Sequence, residues 1–168
     1  MEWLPFDLHP EYPDDGVPRA DLEARYGAAA MERTRAMIES AGFRFGPNPD
    51  RVPRTRLALE LGEAARADGL HGAYHDAVMD AYWSDGRDIG DAETLRAIGN
   101  EVGLSTARIA EALDDRAFSA AVDGWTTTAQ RSGINAVPAF IIDRSVLVLG
   151  AQPHEALDDA ITQAATRR

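Results

Sequence analysis

The sequence contains no cysteine, which excludes disulfides, thiolate metal ligands and any thiol nucleophile within these 168 residues. Lysine is absent too: all 17 basic residues are arginine, a usage we read as the codon bias of GC-rich bacteria. The arginines form no basic cluster, and Asp plus Glu outnumber them 28 to 17, for a formal charge of -11. That balance argues against nucleic acid and an anionic membrane surface as partners. No apolar run approaches membrane-spanning length, and Met1-Glu2-Trp3-Leu4-Pro5-Phe6-Asp7 has no basic region followed by an apolar stretch. We therefore expect a soluble, cytoplasmic chain with no membrane contact. A hydrophobic content of 45% over 168 residues suits one sizeable core rather than two.

What is present reads mostly as helix. Residues 3–8 fit a short strand, demoted to an edge by Pro5. Residues 9–18 are a Pro/Asp/Gly loop. Leu22, Tyr26, Ala30, Met37 and Ile38 recur at helical spacing, predicting one long amphipathic helix from Asp21 to about Ala41, ended by Gly42. Residues 43–54, with Gly46-Pro47-Asn48-Pro49, are a crossing loop. Leu57, Leu61 and Ala65 mark a helix, and Tyr74, Ala77, Val78, Ala81 and Tyr82 mark another, separated by Asp68-Gly69. Asp91 and Ser105 are capping residues for helices bearing Leu95, Ile98 and Val102, and Ile109 and Leu113. A further helix from about Asp115 presents Phe118, Val122, Trp125 and Ala129 to the core and ends at Gly133.

The pattern then changes. Residues 139–142 and 146–149 are unbroken apolar β-formers joined by Asp143-Arg144-Ser145, read as an antiparallel hairpin with both strands interior. Pro153 suits the start of a closing helix whose Ala156, Leu157, Ala160, Ile161 and Ala164 face the core.

Residues 133–143, Gly-Ile-Asn-Ala-Val-Pro-Ala-Phe-Ile-Ile-Asp, followed by Val-Leu-Gly-Ala-Gln-Pro at 148–153, closely resemble the DsbA family. Pro5-Phe6-Asp7-Leu8-His9-Pro10, Arg56-Leu57-Ala58-Leu59 and Gly86-Arg87-Asp88-Ile89-Gly90-Asp91 resemble its FrnE-like subgroup. The likeness covers nearly the whole chain. It implies an α/β thioredoxin-like sheet with a large helical insertion: residues 1–18 and 133–168 as the thioredoxin part of one domain, and about 19–132 as the insertion. It also implies a cis bond between Val137 and Pro138, with Ala136, Val137 and Pro138 facing a peptide or protein substrate that pairs like an added strand. The motif alone favours a trans proline opening a buried strand; it is the resemblance that points to cis.

Family members carry a first strand and a Cys-Pro-x-Cys helix ahead of the strand on which Met1 falls here. Without them the chain is expected to be inactive alone in dithiol exchange, with a gap between residues 3–8 and 139–142. Strand exchange between two copies, a partner strand or reannealing would close it, so a homodimer is expected; a misplaced start codon is the ordinary alternative. The competing functions are a thiol-disulfide oxidoreductase with its cysteines outside this polypeptide, a non-catalytic peptide- or subunit-binding module, and a relative of glutathione-dependent isomerases or transferases.

The remaining polar residues are read as structural. His71 and His75 share a helix face beside Asp76, as two imidazoles and a carboxylate on a metal would, but Gly72 and the lack of a matching acid motif weigh against it. No metal and no cofactor is expected. His9 and His154 are surface or cap residues, Asp85, Asp88 and Asp91 turn and cap residues, and Gly150-Ala151-Gln152-Pro153 the turn into the last helix.

Overall fold

The computed structural model describes residues 1–40, 42–43, 45–47 and 49–166, with side chains at all of these except 30, 31 and 34. The expected helix end at Ala41, the stripe position of Ala30 and the loop residue Asn48 lie outside what is described. By its internal contacts the chain forms two compact units, Met1–Asp123 and Gly124–Arg168.

The first unit is built around α3 (Arg56–Ala67), which packs against α4 (His71–Trp83), α5 (Ala92–Glu101) and α6 (Thr106–Leu113). For reference in chain order, these follow β1 (Val17–Pro18), α1 (Arg19–Tyr26), α2 (Ala28–Ser40) and β2 (Arg51–Val52). The apolar positions spaced three and four apart do what their periodicity requires: Leu61, Ala65, Tyr74, Val78, Leu95, Ile98, Ile109 and Leu113 are all buried in one cluster. Asp91 and Ser105 cap α5 and α6 as expected, accepting the Thr94 amide at 2.8 Å and the Arg108 amide at 3.1 Å. Each satisfies one of the amide donors that a helix start leaves without a partner.

Three expectations for this unit are corrected. Residues 3–8 form no strand; side chains hold the segment instead. The Arg66 guanidinium donates to the Trp3 carbonyl, Trp3 stacks on His75 with ring centroids 4.8 Å apart, and Arg56 Nη1 reaches Asp7 Oδ2 at 3.3 Å. Pro5 cannot donate to a ladder, and it is buried. The loop 9–18 is not wholly irregular, because β1 pairs antiparallel with β2, Val17 opposite Val52. The single helix expected over 21–41 is two, broken at Gly27, whose φ of 84° is open to glycine and takes the chain out of α1. No side chain of α1 is buried, and Tyr26 and Met37 are exposed rather than core-facing.

The second unit continues α7 (Ser119–Arg131) into a hairpin and α8 (His154–Thr166). Strands β3 (Ala139–Ile142) and β4 (Val146–Leu149) pair antiparallel, Ala139 opposite Leu149 and Ile142 opposite Val146, and α8 packs on both. The hairpin was expected to be interior and is not: no residue of either strand is fully buried, since among the described residues β3 has only β4 as neighbour. The stripe assignments are also corrected at two positions. On α7, Thr126 takes the buried position and Trp125 sits at the rim, 37% exposed; on α8, Ala160 and Ala164 are buried and Ile161 points outward.

Candidate functional site

The local sequence positions the loop ahead of β3 through two backbone devices. At the end of α7, Gly133 adopts φ 82°, its amide donates to Gln130 O at 3.0 Å, and the Ile134 amide donates to Ala129 O at 3.0 Å. This paired arrangement is a Schellman cap, and Ile134, the residue after the glycine, is buried as that motif favours. At the far end Pro138 O accepts the Gly150 amide at 2.8 Å, tying the loop to the exit of β4. Gln152 Nε2 donates back to Leu149 O at 2.8 Å, and Pro153 O accepts the Ala156 amide at 3.0 Å as α8 begins. The Gly-Ala-Gln-Pro run therefore works as a turn and helix start.

Between these anchors lie the three residues expected to face substrate. The Val137-Pro138 bond is cis. Ala136, Val137 and Pro138 are all exposed, Val137 at 53%. Neither the amide nor the carbonyl of Val137 enters a hydrogen bond among the described residues. Nothing between Ile134 and Ile142 is charged. The loop thus carries a backbone donor and acceptor without a partner among the described residues, in an exposed stretch with no charged side chain.

The other polar groups have structural partners. His71 and His75 ring centroids lie 6.1 Å apart, and His71 Nε2 stands 3.2 Å from Arg66 Nη2. Burial, then the Arg66 charge and then His75, push the His71 imidazole below its usual pKa. A guanidinium in that position opposes a metal cation. Among the described residues no group of three His, Asp or Glu is placed to hold one. Asp88 Oδ1 accepts the Gly90 amide at 2.8 Å, so Asp88 and Asp91 serve turn and cap.

The first unit also holds a buried charge cluster that the apolar spacing did not bring out. Glu60 on α3 is fully buried, and Arg116 grips it bidentately, Nε to Oε2 at 2.6 Å and Nη2 to Oε1 at 2.8 Å. Arg56 Nε reaches Oε1 at 2.6 Å, while its other nitrogens bind Asp123 Oδ1 at 2.7 Å and the Ser119 carbonyl at 2.9 Å. Burial alone would raise the Glu60 carboxyl, but hydrogen bonds from Arg116 and Arg56 outweigh it and hold it below its usual range. The available signal was Glu60 lying one residue before Leu61 on an apolar face with Arg56 four residues earlier; Asp7 and Arg116 are too distant in sequence to be found by spacing.

Comparison with known proteins agrees with this architecture. The family model described as DSBA-like thioredoxin domain matches residues 1–162. The crystal structure of the probable DsbA oxidoreductase SCO1869 from Streptomyces coelicolor superimposes with a TM-score of 0.86 at 30% identity, over 97% of this chain and 74% of that one. The uncharacterized protein YwbO of Bacillus subtilis (strain 168) is 30% identical over 166 residues, covering 96% of this chain and 80% of its own length. A family model spanning nearly every residue, and a relative whose fold is the same at this identity, lead to one assignment: the chain belongs to the DSBA-like thioredoxin domain family.

Proposed function

We propose that these residues form the substrate-gripping half of a FrnE-like thiol-disulfide oxidoreductase, binding an extended segment of a peptide or protein at Ala136, Val137 and Pro138. The observation that carries this reading is the unpaired, exposed Val137 backbone beside the cis bond to Pro138. A peptide backbone laid antiparallel to it gains two main-chain hydrogen bonds, and the neutral, apolar loop accepts side chains from alternate positions. Exchange chemistry needs a thiolate of lowered pKa. With no cysteine in the 168 residues, the thiol has to come from outside them. In this reading residues 1–18 and 133–168 are the thioredoxin part, and 19–132 the helical insertion.

The lack of cysteine favours a second reading, a binding module that grips peptide without turnover. Hydrogen exchange with and without an unfolded, apolar peptide tests what the two share: protection is expected at Val137 and along β3. An insulin-reduction assay separates them. Acceleration only when a thiol-bearing segment is supplied supports the oxidoreductase, and peptide protection without any such acceleration supports the module. Absence of protection at Val137 contradicts both.

A further inference from the structure

One guanidinium holds the segment ahead of Asp7 and a histidine of α4 at the same time. Arg66 on α3 donates through Nε to Glu63 Oε1 at 2.9 Å and through Nη1 to Glu2 Oε1 at 3.3 Å. Its third nitrogen, Nη2, serves two acceptors, the Trp3 carbonyl and His71 Nε2, the second at 3.2 Å. That nitrogen carries two hydrogens, one for each. The Trp3 ring completes the arrangement by stacking on His75, which stacks in turn on His71.

The bond to His71 exists in one protonation state only. With Arg66 as donor, the ring is the neutral tautomer whose Nε2 is bare; a proton there sets N–H against N–H and cation against cation. His71 is also the first residue of α4, where the positive end of the helix opposes an added positive charge. The charged and titratable groups facing it are Arg66 and Glu63 on α3, Glu2 in the segment and His75 on α4 itself. Burial, then Arg66 and His75, oppose the proton; the two carboxylates favour it without offsetting them. Trp3 is coupled to this bond through Nη2: a rotation that takes Nη2 away from an imidazolium takes the donor away from the Trp3 carbonyl as well.

We propose that Arg66, His71 and Trp3 form a pH-sensitive clasp: with His71 neutral, Arg66 holds the Glu2-Trp3 end of the segment on α3 and α4, and protonation of His71 lets that end go. Arg56 keeps its bond to Asp7 in both states, so the release is local. In the clasped state His71 titrates below its ordinary value of 6.5. Clasping is therefore complete above that value and is lost as pH falls through the clasped-state one. None of residues 136–138 takes part, so the clasp goes beyond the peptide-binding reading and stands or falls separately.

NMR spectroscopy of the full chain from about pH 8 to about pH 5 tests it, read at the Trp3 indole, the backbone amides of Trp3 and Leu4, and the His71 ring. In the wild type these signals should move together in one transition with a midpoint below 6.5, the Trp3 signals ending at random-coil shifts. His71→Gln offers Arg66 an acceptor that does not titrate, so Trp3 should stay docked across the range. His75→Phe keeps a ring against Trp3 and should leave the transition in place. Arg66→Ala should free Trp3 at every pH, with the signals of the helical core unchanged. A Trp3 signal indifferent to pH in the wild type, a transition that does not coincide with the His71 midpoint, one that survives His71→Gln, or a Trp3 still docked in Arg66→Ala overturns the proposal.

Discussion

Glu60 is a fully buried carboxylate whose two oxygens accept hydrogen bonds from Arg56 and Arg116. Two guanidiniums face it; on truncation Arg56 keeps Asp7 and Asp123, while the partly exposed Arg116 loses both of its bonds to the carboxylate. Glu60→Ala should cost about 1 to 3 kcal/mol, read as a lowered midpoint in urea. The acid response follows from the same cluster. The folded-state pKa of Glu60 lies below the unfolded one, whose ordinary value is 4.5. The stability it contributes is therefore complete above that pH and is lost as pH falls through the folded-state value. Denaturant midpoints measured downward from pH 6 should drop below about pH 4.5, and Glu60→Gln should flatten that drop. A second residue-scale prediction concerns Arg144, held at φ 57° in the hairpin turn. Left-handed backbone costs a residue with a Cβ about 1 to 2 kcal/mol, part of which glycine returns through its looser unfolded chain. Arg144→Gly should thus stabilise the protein by about 1 kcal/mol in thermal unfolding.

At the scale of elements, helices were legible wherever an apolar stripe and a cap coincided. The Asp91 cap of α5 and the glycine end of α7 fell where the sequence placed them because both depend on bonds within a few residues. Asp91→Ala should cost about 1 kcal/mol, and backbone amides of the first turn of α5 should exchange faster. The failures share a different cause. Gly27 interrupts an apparently continuous stripe, and α1 has no core to face, so periodicity there reported composition rather than burial. Residues 3–8 look like a strand, but strand formation depends on a neighbour that local sequence cannot reveal. The same dependence explains the hairpin: its apolar run predicted interior strands, whereas a two-stranded sheet leaves one face open. At the candidate site, the Gly133 turn and Gly150-Ala151-Gln152-Pro153 were readable, while the exposure of Val137 came only from the folded chain.

Across the whole molecule, net charge is divided unevenly along the chain, while large apolar side chains are exposed in both stretches. Residues 1–123 combine the buried helical core with all of the net negative charge, and residues 124–168 are neutral and expose Val137, Ile141, Leu147 and Leu149. In the proposed reading, the uncharged stretch around Val137 lets an extended, apolar chain pair with it without electrostatic cost. The most direct measurement is fluorescence anisotropy of a labelled, unfolded apolar peptide titrated with the full chain and with Val137→Asp. The account predicts saturable binding by the wild type and at least about tenfold weaker binding by the variant, a loss of about 1.4 kcal/mol, with its melting temperature unchanged. Equal affinity for the two proteins, or no binding by either, would contradict it.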